Sequence, residues 1–149
     1  MPPSFLVLYL FWGAIMARPN SDFFIYPLTF LALAAGAVAT QILTFDASSD
    51  FTWYYGAYTA DVAAAGQTQN TRVFPLVNIL ITPSDTSALF MQAAVPLTHM
   101  FGIGENPFVM PAPRIIPARS AISIQLTNRD AAQTYNIFLS LIGIKRYLG

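Results

Sequence analysis

Charge is what this chain has least of. Seven Lys/Arg and seven Asp/Glu stand among 149 residues, 9% of the whole, where globular chains average about a quarter. Histidine occurs once, at His99, and lysine once, at Lys145. Cysteine is absent, which excludes a disulfide framework and a thiolate metal site. The formal net charge is zero, so the attraction that drives nucleic-acid binding is missing. Missing too is the repulsion that keeps copies of a free monomer apart. What is present instead is 55% hydrophobic residues. A small monomer with so little charge is hard to solvate; lipid or other protein must cover much of its surface. At 149 residues the chain has the size of one domain, able to bury roughly 70% of its unfolded surface.

Two stretches invite a transmembrane reading. Residues 1–17 and 23–45 carry no charged side chain, and a span needs about 20 apolar residues. The first, however, has an apolar run of only about twelve residues before Gly13. It lacks the basic region of a signal peptide, although Ala14–Ala17 resembles a small-residue cleavage site. Met16 is an alternative start, which would make residues 1–15 an upstream extension. The second stretch contains Pro27 and Gly36, and beyond Gly36 it alternates. Val38, Thr40, Ile42 and Thr44 fall on one face; Ala37, Ala39, Gln41 and Leu43 fall on the other. Alternation marks a strand. Flanking Lys/Arg clusters that would orient a span are lacking. A membrane protein is therefore the weaker expectation.

The rest predicts short strands separated by turns. Phe23–Phe30 is interrupted by Pro27, which implies an edge or a bulge. Gly36–Phe45, the turn Asp46–Asp50, the aromatic-rich Phe51–Tyr58 and Arg72–Ile81 follow. Thr82-Pro83-Ser84-Asp85 carries a helix-start pattern, with Thr82 as N-cap and Pro83 at the first position. A short helix to about Ala94 and a turn feeding a strand Ser87–Gln92 are equally good expectations there. Prolines at 96, 107, 111, 113 and 117 forbid a long helix. Ala121–Asn128 alternates cleanly, and Asn128–Gln133 makes a turn. Tyr135–Tyr147 is apolar on both faces, with Tyr135, Ile137, Leu139 and Leu141 against Phe138, Ile142 and Ile144. Such a strand is central and covered twice. The sum is an all-β chain: an antiparallel β-sandwich over residues 20–149, jelly-roll-like with about eight strands, preceded by an apolar N-terminal arm over 1–19.

Chemistry-bearing constellations are scarce. His99 has no second imidazole and no cysteine beside it for a metal. Asp46-Ala-Ser-Ser-Asp50 lacks the spacing of a calcium loop and is better explained as a turn. Gly102-Ile-Gly104 lacks the third glycine of a dinucleotide fingerprint, and Pro107 follows where the helix should run. Trp53, Tyr54, Tyr55 and Tyr58 offer a possible sugar-binding face, or core and interface. An enzyme is not expected, and no cofactor or metal is.

Certain motifs carry a resemblance. Phe101-Gly-Ile-Gly-Glu-Asn-Pro-Phe-Val-Met-Pro-Ala-Pro113 is followed by Ile116-Pro-Ala-Arg-Ser120 and Ile122-Ser-Ile-Gln-Leu-Thr-Asn128. The chain then closes on Ile137-Phe-Leu-Ser-Leu-Ile-Gly-Ile-Lys-Arg-Tyr147, with Leu33–Ala37 and Asp46–Phe51 upstream. Over residues 20–147 this resembles small virion structural proteins of tailed bacteriophages. The resemblance implies a capsid cement or decoration protein on the virion surface. It would bury apolar area between major capsid subunits and associate as a homo-oligomer, a dimer or trimer. The expected interface is Phe5, Leu8, Trp12, Trp53, Tyr55, Ile137 and Leu139, with Arg114, Arg119 and Arg146 as a polar rim. Alternatives are a tail, collar or fibre-attachment protein of the virion, a holin-like or internal-membrane phage protein, and a carbohydrate-binding sandwich.

Overall fold

A computed structural model describes residues 20–63, 72–84 and 89–148. They form two stacked β-sheets around one hydrophobic core. The strands are β1 (Ser21–Leu33), β2 (Val38–Thr44), β3 (Ser49–Val62), β4 (Val77–Pro83), β5 (Val95–Pro96), β6 (Gly102–Ile103), β7 (Phe108–Ile116), β8 (Ala121–Asn128) and β9 (Tyr135–Tyr147). The first sheet runs β1-β9-β3, with β6 and β7 sharing the far side of β3; the second runs β2-β8-β4-β5. The antiparallel sandwich expected from the alternation is what forms. The expected arm, with Phe5, Leu8 and Trp12, lies outside the described residues.

Pairing is nested about the middle of the chain. β1 pairs with β9, β2 with β8, β3 with β7 and β4 with β5, all antiparallel. The chain thus resembles one long hairpin rolled up, its two arms alternating between sheets. β9 lies between β1 and β3 along its whole length, the central position that its doubly apolar sequence predicts.

The inner faces supply the core. Tyr26, Leu28 and Phe30 of β1, Phe51 and Trp53 of β3, and Ile137, Leu139 and Leu141 of β9 meet Ile79 and Ile81 of β4 and Ile122, Ile124 and Leu126 of β8. Each such side chain, fully buried, contributes about 1.5–3 kcal/mol of transfer free energy. Edge-on aromatic contacts join Tyr26 to Phe45 and Phe51 at 4.8 and 4.9 Å. Gly143 lets β9 approach β3 closely. A Cβ there would fall on the Thr52 carbonyl oxygen and against the Phe51 ring.

The helix-start reading of Thr82-Pro83 is overturned, because both residues belong to β4. Pro83 is tolerated for a geometric reason. The next residue, Ser84, donates its N–H to Ala121 O toward β8, so the position of Pro83's missing N–H points the other way. On that side β5 pairs only Asn78 and Ile79, and no ladder bond is lost. Residues 89–94 form neither helix nor strand, and residues 85–88 lie outside the described part. Pro27 is tolerated because, among the described residues, β1 is an edge strand paired only with β9.

Candidate interaction surface

Residues directly paired across a sheet share a face, so the register reads out what each outer face presents. On the first sheet one row runs Phe23–Ile144–Thr52–Ile115, and the next runs Ile25–Ile142–Tyr55–Val109. Their exposures are large: Phe23 69%, Ile115 66%, Val109 61%, Ile25 40%, Tyr55 39% and Ile144 38%. Neither row contains a charge. One step toward the sheet's end, Ser21, Arg146 and Asp50 stand in register, placing one cation and one anion at the border. Asp50 is held there by the Ala118 N–H, which donates to Oδ1 at 2.9 Å.

The second sheet's outer face differs. Its rows are Val38–Thr127–Asn78, Thr40–Gln125–Leu80, Ile42–Ser123–Thr82 and Thr44–Ala121. Most of these side chains carry a hydroxyl or amide that water satisfies. This face is uncharged but solvated, with Val38 and Ile42 as its exposed apolar residues on the edge strand β2.

Of the ten expected interface residues, the seven that are described scatter. Tyr55 and Arg146 lie on the first sheet's outer face. Trp53, Ile137 and Leu139 do not: they are fully buried in the chain's own core, so their side chains are unavailable to a partner, and that expectation is corrected. The error has a simple origin. β9 is apolar on both faces, and its sequence does not say which face turns inward. The outer set, Phe138, Ile142 and Ile144, is the one left partly uncovered. Arg114 is also off this face. Paired with Trp53 on the inner side, it is half-buried with its guanidinium 4.3 Å from the Phe90 ring centroid. Arg119 is exposed in the Pro117–Ser120 turn, in a left-handed conformation with φ 66°. The sequence missed Phe23, Ile25, Val109 and Ile115 as a surface set, because only pairing across strands brings them together.

Arg129 and Lys145, the other two basic residues after Arg114, do not join this face either. Lys145 is buried, ion-paired with Asp46, with its ammonium 3.3 Å from the Phe24 ring centroid. Burial lowers its pKa, but the Asp46 carboxylate and the Tyr26 hydroxyl outweigh that and hold it above the ordinary lysine value. Arg129 sits at the opposite end of the sandwich, where its N–H donates to Leu76 O. Of the four aromatics offered as a sugar-binding face, Trp53 and Tyr58 are core, Tyr54 is half-buried and Tyr55 is exposed; burial raises the Tyr58 hydroxyl pKa. His99 is exposed on a 3-10 turn, Leu97–His99.

Among the described residues no group of three or more His, Asp or Glu is placed to hold a metal. No helix among them is long and apolar enough to cross a membrane. Two clefts, of about 140 and 280 Å³, lie beside Tyr58 and Arg72 and between β1 and β2, below the roughly 300–1,000 Å³ of small-molecule sites. Among the described residues, the surface feature that stands out is the apolar outer face. No protein-family model matches the chain, and no curated protein or solved structure matches it.

Proposed function

We propose that this chain is a structural protein of a virion, a jelly roll that packs against major capsid subunits as a cement or decoration protein. The observation that carries the proposal is the pair of outer sheet faces almost free of charge, one of them openly apolar. Contiguous exposed apolar area of this kind marks a protein contact site. The nested pairing of β1 with β9 through β4 with β5 supports the jelly-roll reading of this β-sandwich, an architecture of viral capsid and lectin domains. Burial of Trp53 and Tyr58 favours the packing role over the lectin role.

The test is to purify intact particles from cells that produce the chain and quantify it by mass spectrometry. Banding with full shells at about the copy number of the capsid subunits is expected. Absence from the particle would falsify the proposal. A few copies per particle would overturn the cement role in favour of a tail or collar position.

A further inference from the structure

We propose that the outer face of the first sheet is where two copies of this chain associate, sheet against sheet. The proposal stands on that face alone and holds whether or not the chain is found in a particle; in a particle, the uncharged outer face of the second sheet stays open in such a dimer to meet capsid subunits. Phe23, Ile25, Tyr55, Val109, Ile115 and Ile144 together expose several hundred Å² of apolar side chain. That is the scale of a functional patch on a monomer, and it approaches the roughly 800 Å² that each partner contributes to a standard interface.

Three observations name a second copy as the occupant. The first is shape. A twisted sheet face is matched by another face of the same twist, packed about 10 Å away and within about 30° of aligned, and a second copy presents such a face. The second is charge. The two central rows hold no ionisable side chain other than Tyr55, so a twofold arrangement sets no like charges against each other at its centre. Arg146 and Asp50 in the next row supply opposite signs at the border, where a polar rim belongs. The zero formal net charge leaves no long-range repulsion between copies. The third is the contrast within the molecule. The second sheet's outer face presents Thr40, Thr44, Ser123, Gln125 and Thr127, which water can satisfy. The two apolar rows of the first sheet hold only Thr52 and Tyr55 of that kind. Tyr55, near the middle of the patch, is the residue type most suited to anchor such a contact.

Sedimentation velocity on the full chain, from about 1 to 100 μM, tests this. The wild-type chain should sediment as a dimer. Ile144→Glu and Val109→Glu should each weaken dimerisation by about 100-fold or more, because each sets a carboxylate in the apolar contact. Ile42→Glu, at an exposed site on the second sheet, should leave the dimer intact. Circular dichroism checks that each variant keeps its strands; should Ile144→Glu fail to fold, Val109→Glu on the outer strand reads the same face. A wild-type chain that stays monomeric throughout overturns the proposal, whether residues 1–19 or a foreign protein then covers the face. So does a dimer that Ile42→Glu dissociates and Ile144→Glu and Val109→Glu do not.

Discussion

Lys145 and Asp46 form one ion pair with unequal ends: the lysine side chain is 6% exposed and the aspartate 49%. That asymmetry decides what each substitution does. Removing the acid strands an ammonium under Phe24 and Tyr26, whereas removing the base leaves an aspartate that water can solvate. Asp46→Asn should therefore cost about 2–3 kcal/mol, and Lys145→Met, which keeps the apolar stem, only about 1 kcal/mol. Urea denaturation of both variants checks the order; a larger loss for Lys145→Met would contradict the argument. The pH dependence has a definite sign. The folded pKa lies above the unfolded one, so the contribution is complete below about pH 10.4 and is lost as pH rises through the folded value. Stability measured from pH 9 upward should fall more steeply in wild type than in Lys145→Met. Gly143 is the other sensitive residue. Gly143→Ala should cost more than about 3 kcal/mol, since the new methyl meets the Thr52 carbonyl rather than a side chain that can turn aside. Gly104→Ala, with open space around the added Cβ, should change stability by less than about 0.5 kcal/mol.

At the scale of the element, the turn between β8 and β9 is built by two side chains. Asn128 is 1% exposed. Its amide donates to Leu33 O at 3.0 Å and Gln133 O at 2.8 Å, and its Oδ1 accepts from the Asp130 N–H at 2.9 Å. Asp130 then accepts from the Tyr135 hydroxyl and from the Ala132 and Gln133 N–H groups, which together hold its carboxyl below the ordinary pKa. That contribution is present above the unfolded carboxyl value and is lost as pH falls through the folded one. Asn128→Ala should cost about 2–3 kcal/mol, because it takes the donor from the buried Leu33 carbonyl and from the Gln133 carbonyl. A shift in urea midpoint of less than a third of that would show that water replaces the amide. This turn and its flanking strands were legible in the sequence: Ala121–Asn128 and Tyr135–Tyr147 have the bounds that their alternation and polar ends predict. Thr82-Pro83 was not, since a proline at a helix start and one on an unpaired strand side look alike until β5 is seen to stop short. The surface was legible only in part. Phe138, Ile142 and Ile144 announced a second apolar face, but Phe23, Ile115 and Val109 join it through pairings between strands far apart in sequence, and no local pattern encodes those.

For the whole molecule, nested pairing means that neither sheet is contiguous in sequence. The first sheet needs β1 and β9, from opposite ends of the described chain, and β8 of the second must be laid down between them in sequence. Both sheets also share one core, with Ile137 and Leu139 on one side and Ile124 and Leu126 on the other. Such a chain has no half that can fold by its own contacts, and its long-range pairings place it among slow folders, on a scale of milliseconds to seconds or longer. It should unfold as one unit. Ile137→Ala in the first sheet and Ile124→Ala in the second should each cost about 2–5 kcal/mol. In each, the loss of strand signal by circular dichroism and of the aromatic signal around Trp53 should share one midpoint. Two separated midpoints in either variant would mean that the sheets melt independently. Self-association adds a mark of its own. If dimerisation through Phe23, Ile144 and Val109 is linked to folding, the wild-type midpoint should rise with protein concentration by mass action. In Ile144→Glu that dependence should vanish while the single transition remains, because the core beneath the face is untouched.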